Sequence, residues 1–217
     1  MYRKLVCMTD PNDQPLGDPA ATLALIEAQR ATAERSLNPH PIVWYGPWGT
    51  AWLLGFGLLF LRFGPDGKVF VDMPHWLPLV VLYALLIGAL AVSTVFAGRA
   101  FKHVRGESAR QGALYGLAWA LTFVGVGTTT GVFAEHLPDD LGGMLWGSVS
   151  VAAVGTLHMA GAAIWRDLRM FILGVWITVT NIAGVLAGPG WHSLLIAVLG
   201  GGGMLATGVV LWLRSGR

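Results

Sequence analysis

Residues 76–98 read WLPLVVLYALLIGALAVSTVFAG, a run without one Asp, Glu, Lys or Arg. A helix rises about 1.5 Å per residue, so a run of this length crosses the ~30 Å hydrocarbon core of a bilayer. Five further stretches have the same character, at 42–62, 112–134, 143–165, 169–188 and 191–213. No interior among them carries a charge; Arg62 stands at the edge of the first, and the last two are joined tightly through Gly188-Pro189-Gly190. The expectation is an all-α fold, an integral membrane bundle of six transmembrane helices. Its principal partner is then the lipid bilayer.

Composition points the same way. The chain is 54% hydrophobic and 12% charged, against about 25% charged residues in a soluble domain whose surface must face water. A net charge of +2 gives no support to a nucleic-acid partner. One cysteine, Cys7, excludes an intramolecular disulfide framework and a Cys-based zinc site.

Basic residues set the orientation. Arg3, Lys4, Arg30 and Arg35 precede the first span. Arg99, Lys102, Arg105 and Arg110 lie between the second and third, Arg166 and Arg169 between the fourth and fifth, and Arg214 and Arg217 at the end. Of the 14 Lys and Arg, only Arg62 and Lys68 fall on the other side. Basic loops stay cytoplasmic, so the expected place is the cell membrane, with both termini in the cytoplasm. A five-span or seven-span division breaks this alternation.

Two parts are expected: a cytoplasmic segment at 1–40 and a transmembrane domain at 41–217. Within the first, Asp18 is a good N-cap before Pro19 at the first helical position. Leu23, Ile26 and Ala33 alternate with Glu27, Arg30 and Glu34, which predicts an amphipathic helix over about 19–37. Asn38-Pro39-His40-Pro41 stops it. Met8-Thr9-Asp10 offers a second start besides Met1.

Small residues recur at four-residue spacing in Gly112-Gly116-Ala120, Gly127-Gly131, Gly143-Gly147 and Gly184-Gly188. Such ridges let helix backbones approach where lipid supplies no hydrophobic drive between helices. Gly200 to Gly203 form a run in the last span, read either as close packing or as a weakened, cavity-lining point. Trp52, Trp119 and Trp176 fall in the odd-numbered spans among small residues, suggesting three hairpins.

Polar groups at membrane depth are few. His158 in the fourth span, with Thr178 and Asn181 in the fifth, are the candidate lining of a pore or cavity. An ionisable group there is a functional hypothesis by default, and the competing reading is interhelical hydrogen bonding. No acidic residue lies at membrane depth, which disfavours ion-coupled transport. His75, His136 and His192 flank spans on the outer side and lack metal-ligand spacing, so they read as solvated interface residues. No metal site, cofactor or catalytic pair is visible, and no Walker, HExxH or GxSxG pattern occurs; an enzyme is not expected.

Gly55 to Gly67, with Gly184-Val185-Leu186-Ala187-Gly188-Pro189-Gly190-Trp191-His192 and Gly200 to Gly203, resembles small actinobacterial six-span membrane proteins loosely labelled transporters. Span count and glycine content are also distantly similar to HdeD-type acid-resistance membrane proteins. The first resemblance implies a transport role; the expected function is a small permease or transport subunit of unknown substrate, with a second copy of the chain (a homo-oligomer) or another membrane protein as the expected partner. The alternative is a non-transporting scaffold, assembly or stress-response protein.

Overall fold

A computed structural model describes residues 19–37, 41–102 and 106–215, and every regular element in them is helical. The chain divides into two units, Met1–Asn38 and Pro39–Arg217.

In the first unit, α1 spans Pro19–Leu37; the expected cap Asp18 lies outside the described residues. The amphipathic stripe expected here is not formed. Leu23, Leu25 and Ile26 are 56–61% exposed, and at 3.6 residues per turn Leu23 and Leu25 lie about 200° apart around the helix. The apolar side chains are spread around the helix, and Ala fills the positions that would complete one face.

The second unit contains α2 (Pro41–Arg62), α3 (Leu77–Phe101), α4 (Glu107–Ala134), α5 (Asp139–Trp165) and α6 (Leu168–Ala187). A last helical run follows in three pieces: α7 (Trp191–Leu195), a π-helical segment (Ile196–Gly202) and α8 (Gly203–Ser215). Among the described residues, five helices are long and apolar enough to cross a membrane: Leu77–Arg99, Glu107–Ala134, Asp139–Trp165, Leu168–Ala187 and Trp191–Leu213. The sequence predicted six. The helix that falls short is α2, whose first half, Trp44-Tyr45-Gly46-Pro47-Trp48-Gly49-Thr50, dilutes its apolar density. At 22 residues it is nevertheless about 33 Å long.

Several helices overrun their apolar stretches. α4 begins at Glu107 and α5 at Asp139, where polar first turns carry acids that interact favourably with the helix dipole. α5 and α6 are antiparallel neighbours joined by a short connection. Arg166 ends α5 in the left-handed region (φ 55°), and Asp167 caps α6 by accepting a 2.9 Å hydrogen bond from the Arg169 backbone N–H.

α2 packs on α3 at one side and on the last helical run at the other; that run meets α6, α6 lies along α5, and α5 along α4. Leu79, Val80, Ile87 and Leu90 on α3, and Leu114, Leu117, Leu121 and Val124 on α4, remain exposed. So much contiguous apolar surface is what a bilayer covers, and the protein is a multi-pass membrane protein. The buried core lies centrally, around Ala51, Trp52 and Phe56 of α2, Val151, Ile177, and Ile196 with Ala197.

Glycines form the closest seams. A Cβ on Gly174 would stand 2.8 Å from the Gly155 carbonyl oxygen, and one on Gly155 would meet Thr178 Oγ1 and the Gly174 oxygen. A Cβ on Gly201 would meet the Leu53 backbone nitrogen and, at 2.8 Å, the Gly49 oxygen. By contrast, a Cβ on Gly112, Gly116, Gly127 or Gly143 would meet nothing within 4 Å. These glycines leave bare helix surface, whereas their ridge partners Gly131 and Gly147 do pack, against Trp146 and His192 respectively. The three tryptophans thought to mark a repeat also differ. Trp52 is buried, Trp119 stacks on Phe123, and Trp176 is 46% exposed.

Candidate functional site

α6 carries Asn181 on the face that meets both α5 and the last helical run. Gly188-Pro189-Gly190 then reverses the chain, with φ of 93° at Gly188 and 80° at Gly190, a backbone region that glycine enters without a Cβ penalty. Two residues later His192 points back into the bundle. It is 2% exposed and Asn181 5%.

The His192 imidazole Nε2 lies 2.9 Å from Asn181 Oδ1, and Asn181 Nδ2 donates to the Ser148 carbonyl oxygen of α5, also at 2.9 Å. The second bond orients the amide. Its oxygen therefore faces the imidazole, and since an amide oxygen only accepts, Nε2 must carry the proton. Three helices are thus tied through one amide.

Two glycines make room for the ring. A Cβ on Gly147 of α5 would stand 3.1 Å from His192 Cε1, and one on Gly184 of α6 would stand 2.8 Å from Cδ2. Both were expected in backbone-packing ridges; what they receive instead is an imidazole. The expectation that His192 is a solvated interface residue is overturned, because the Gly-Pro-Gly joint folds it under α6. His75 and His136 are exposed.

The predicted trio is divided. Thr178 lies one turn from Asn181 on the α5–α6 seam, and its hydroxyl donates to the Gly174 carbonyl oxygen of its own helix at 2.8 Å. His158 belongs to the α4–α5 seam. Its Nδ1 lies 2.8 Å from the Val154 carbonyl oxygen, and its ring meets Trp119 of α4 edge-on at 5.5 Å. Thr130, also buried, donates to the Val126 carbonyl oxygen at 2.6 Å. Among the described residues, no buried side-chain nitrogen or oxygen lacks a hydrogen-bond partner.

A folded-back loop covers the His192 end of the bundle. Phe70 and Val71 donate backbone N–H bonds to the Leu61 carbonyl oxygen at 2.9 and 3.0 Å, and Arg62 Nε donates to the Met73 carbonyl oxygen at 2.8 Å. Phe60 stacks on Phe70 and tilts against Trp191. A Cβ on Gly190 would stand 2.5 Å from the Pro65 nitrogen, so the joint and the loop meet backbone to backbone.

Below His192 the last helix widens into its π-helical turn. The Trp176 indole N–H of α6 donates to the Leu199 carbonyl oxygen there at 2.9 Å. Gly200 lies against the Trp52 ring, with room for no Cβ beyond 2.9 Å. Side chains that cap such carbonyls are one way a membrane helix departs from regular hydrogen bonding without leaving a polar group in lipid.

No known protein family, curated protein or solved structure matches this chain.

Proposed function

We propose that this is a six-span protein of the cell membrane, with both termini in the cytoplasm, that works as a non-transporting scaffold. The observation that carries the reading is the His192–Asn181–Ser148 bridge. A transport path needs polar groups that exchange partners with a solute, whereas here the central amide holds three helices together. The sixth span is α2, which contributes Trp52 and Phe56 to the core and has the length to cross. Cytoplasmic termini rest on the one-sided distribution of Lys and Arg. On that orientation, α1 offers Leu23, Leu25 and Ile26 to a cytoplasmic partner. The reading is non-enzymatic.

A small permease with a polar path past His158, Thr178 and Asn181 is the second reading, and the π-helical segment is what favours it, since such turns recur at functional sites. Thr178→Cys and His158→Cys, each in a Cys7→Ser background, separate the two. In reconstituted vesicles a small water-soluble thiol reagent should leave both untouched if the interior is a scaffold. Rapid reaction at both, in protein that stays monodisperse, would establish a water-filled path and overturn the scaffold reading.

A further inference from the structure

A π-helical turn holds more residues per turn than an α-helix; inserting a residue into an α-helix is the simplest way to make one. Here seven residues, Ile196–Gly202, form it, between a helical stretch anchored to Asn181 through His192 and a stretch packed on α2 through Leu205 and Gly208. Were the segment to become α-helical with α8 held in place, its surplus residue would push α7 outward by about 1.5 Å and turn it by about 100°. The position now filled by His192 would pass to Ser193.

We propose that the last helical run occupies two registers. In the one described above, His192 sits between Gly147 and Gly184 and bonds Asn181. In the other the run is α-helical throughout, His192 moves towards the 63–76 loop, and Ser193 takes its place between Gly147 and Gly184.

Four features carry this. Ser193 is small enough to enter the space between Gly147 and Gly184, and its hydroxyl is a hydrogen-bond donor as the imidazole N–H is. Gly147 and Gly184 present no side chain to the moving face. The joint that must absorb the displacement has Gly188 and Gly190 at positive φ on either side of Pro189. Finally, both bonds that favour the π register come from α6: Asn181 to His192, and Trp176 to the Leu199 carbonyl oxygen. The extra register adds a moving part, and it holds whether the protein is a scaffold or a permease.

Thiol labelling tests it. In a Cys7→Ser background reconstituted in vesicles, His192→Cys should react slowly with a water-soluble reagent supplied at the end bearing the 63–76 loop. Deleting Gly202, which removes the surplus residue, should lower that rate at least tenfold. Val151→Cys, 2% exposed on α5, should stay unreactive in both. The proposal is overturned if His192→Cys never reacts, or reacts equally with and without Gly202. Reaction at Val151→Cys with similar kinetics also overturns it, because general loosening would then explain the labelling.

Discussion

His192 Nε2 and Asn181 Oδ1 stand 2.9 Å apart, eleven residues from each other in the chain and across a Gly-Pro-Gly reversal. The bond closes the short link between α6 and the last helical run from the inside. With Asn181 also donating to α5, one amide fixes the relative rotation of three helices.

A double-mutant cycle measures what that bond contributes. Asn181→Ala and His192→Ala should each lower thermal stability in detergent, and His192→Ala more so, because it also leaves an empty space between Gly147 and Gly184. The coupling between them should be about 0.6 kcal/mol, with a ceiling of ~1.7, the range for hydrogen bonds inside a membrane bundle. Strictly additive losses would mean that the bond contributes nothing and that packing alone holds the ring.

What could be read from the residues was the apolar skeleton. Each of the six apolar runs falls on helical backbone, and five of those helices are, among the described residues, long and apolar enough to cross a membrane. The ends were misplaced where helices continue into polar turns, as at Glu107 and Asp139, which hydropathy ignores. His192 was misread because a histidine at the edge of an apolar run looks the same whether it faces water or folds inward. The difference is made by Gly147 and Gly184, which lie 45 and eight positions away. Four-residue glycine spacing marked bare helix faces correctly but could not say what lay against them. The π-helical turn leaves no compositional trace beyond the Gly200–Gly203 run, because it depends on register between two anchored stretches.

Glycine substitutions should therefore split by seam. Gly155→Leu and Gly174→Leu should lose well over 1 kcal/mol, as overpacking does, since each new side chain meets the facing backbone. Gly112→Leu and Gly116→Leu should be silent in thermal unfolding of the monomer, because a Cβ at either meets nothing within 4 Å. A large loss at Gly116, accompanied by a change in oligomeric state on gel filtration, would place another copy of the chain on α4.

Orientation gives a separate outcome. Cysteine placed at 135–142 should be labelled by an impermeant thiol reagent applied outside intact cells, and cysteine at 103–108 should not. The opposite result would reverse the assignment of the termini, since loops rich in Lys and Arg are retained in the cytoplasm.

Trp176→Phe probes the second clamp of the π register. Phenylalanine keeps an aromatic ring at this lipid-facing position but cannot donate to the Leu199 carbonyl oxygen, so the π-helical turn loses a bond that the α-helical register does not use. The balance should move towards the α-helical register by about 0.6 kcal/mol, a roughly threefold change in population. In the Cys7→Ser, His192→Cys background the labelling rate should rise by that factor, and it should fall back when Gly202 is also deleted. A rate that Trp176→Phe leaves unchanged would show that the indole merely shields the carbonyl and does not hold the register.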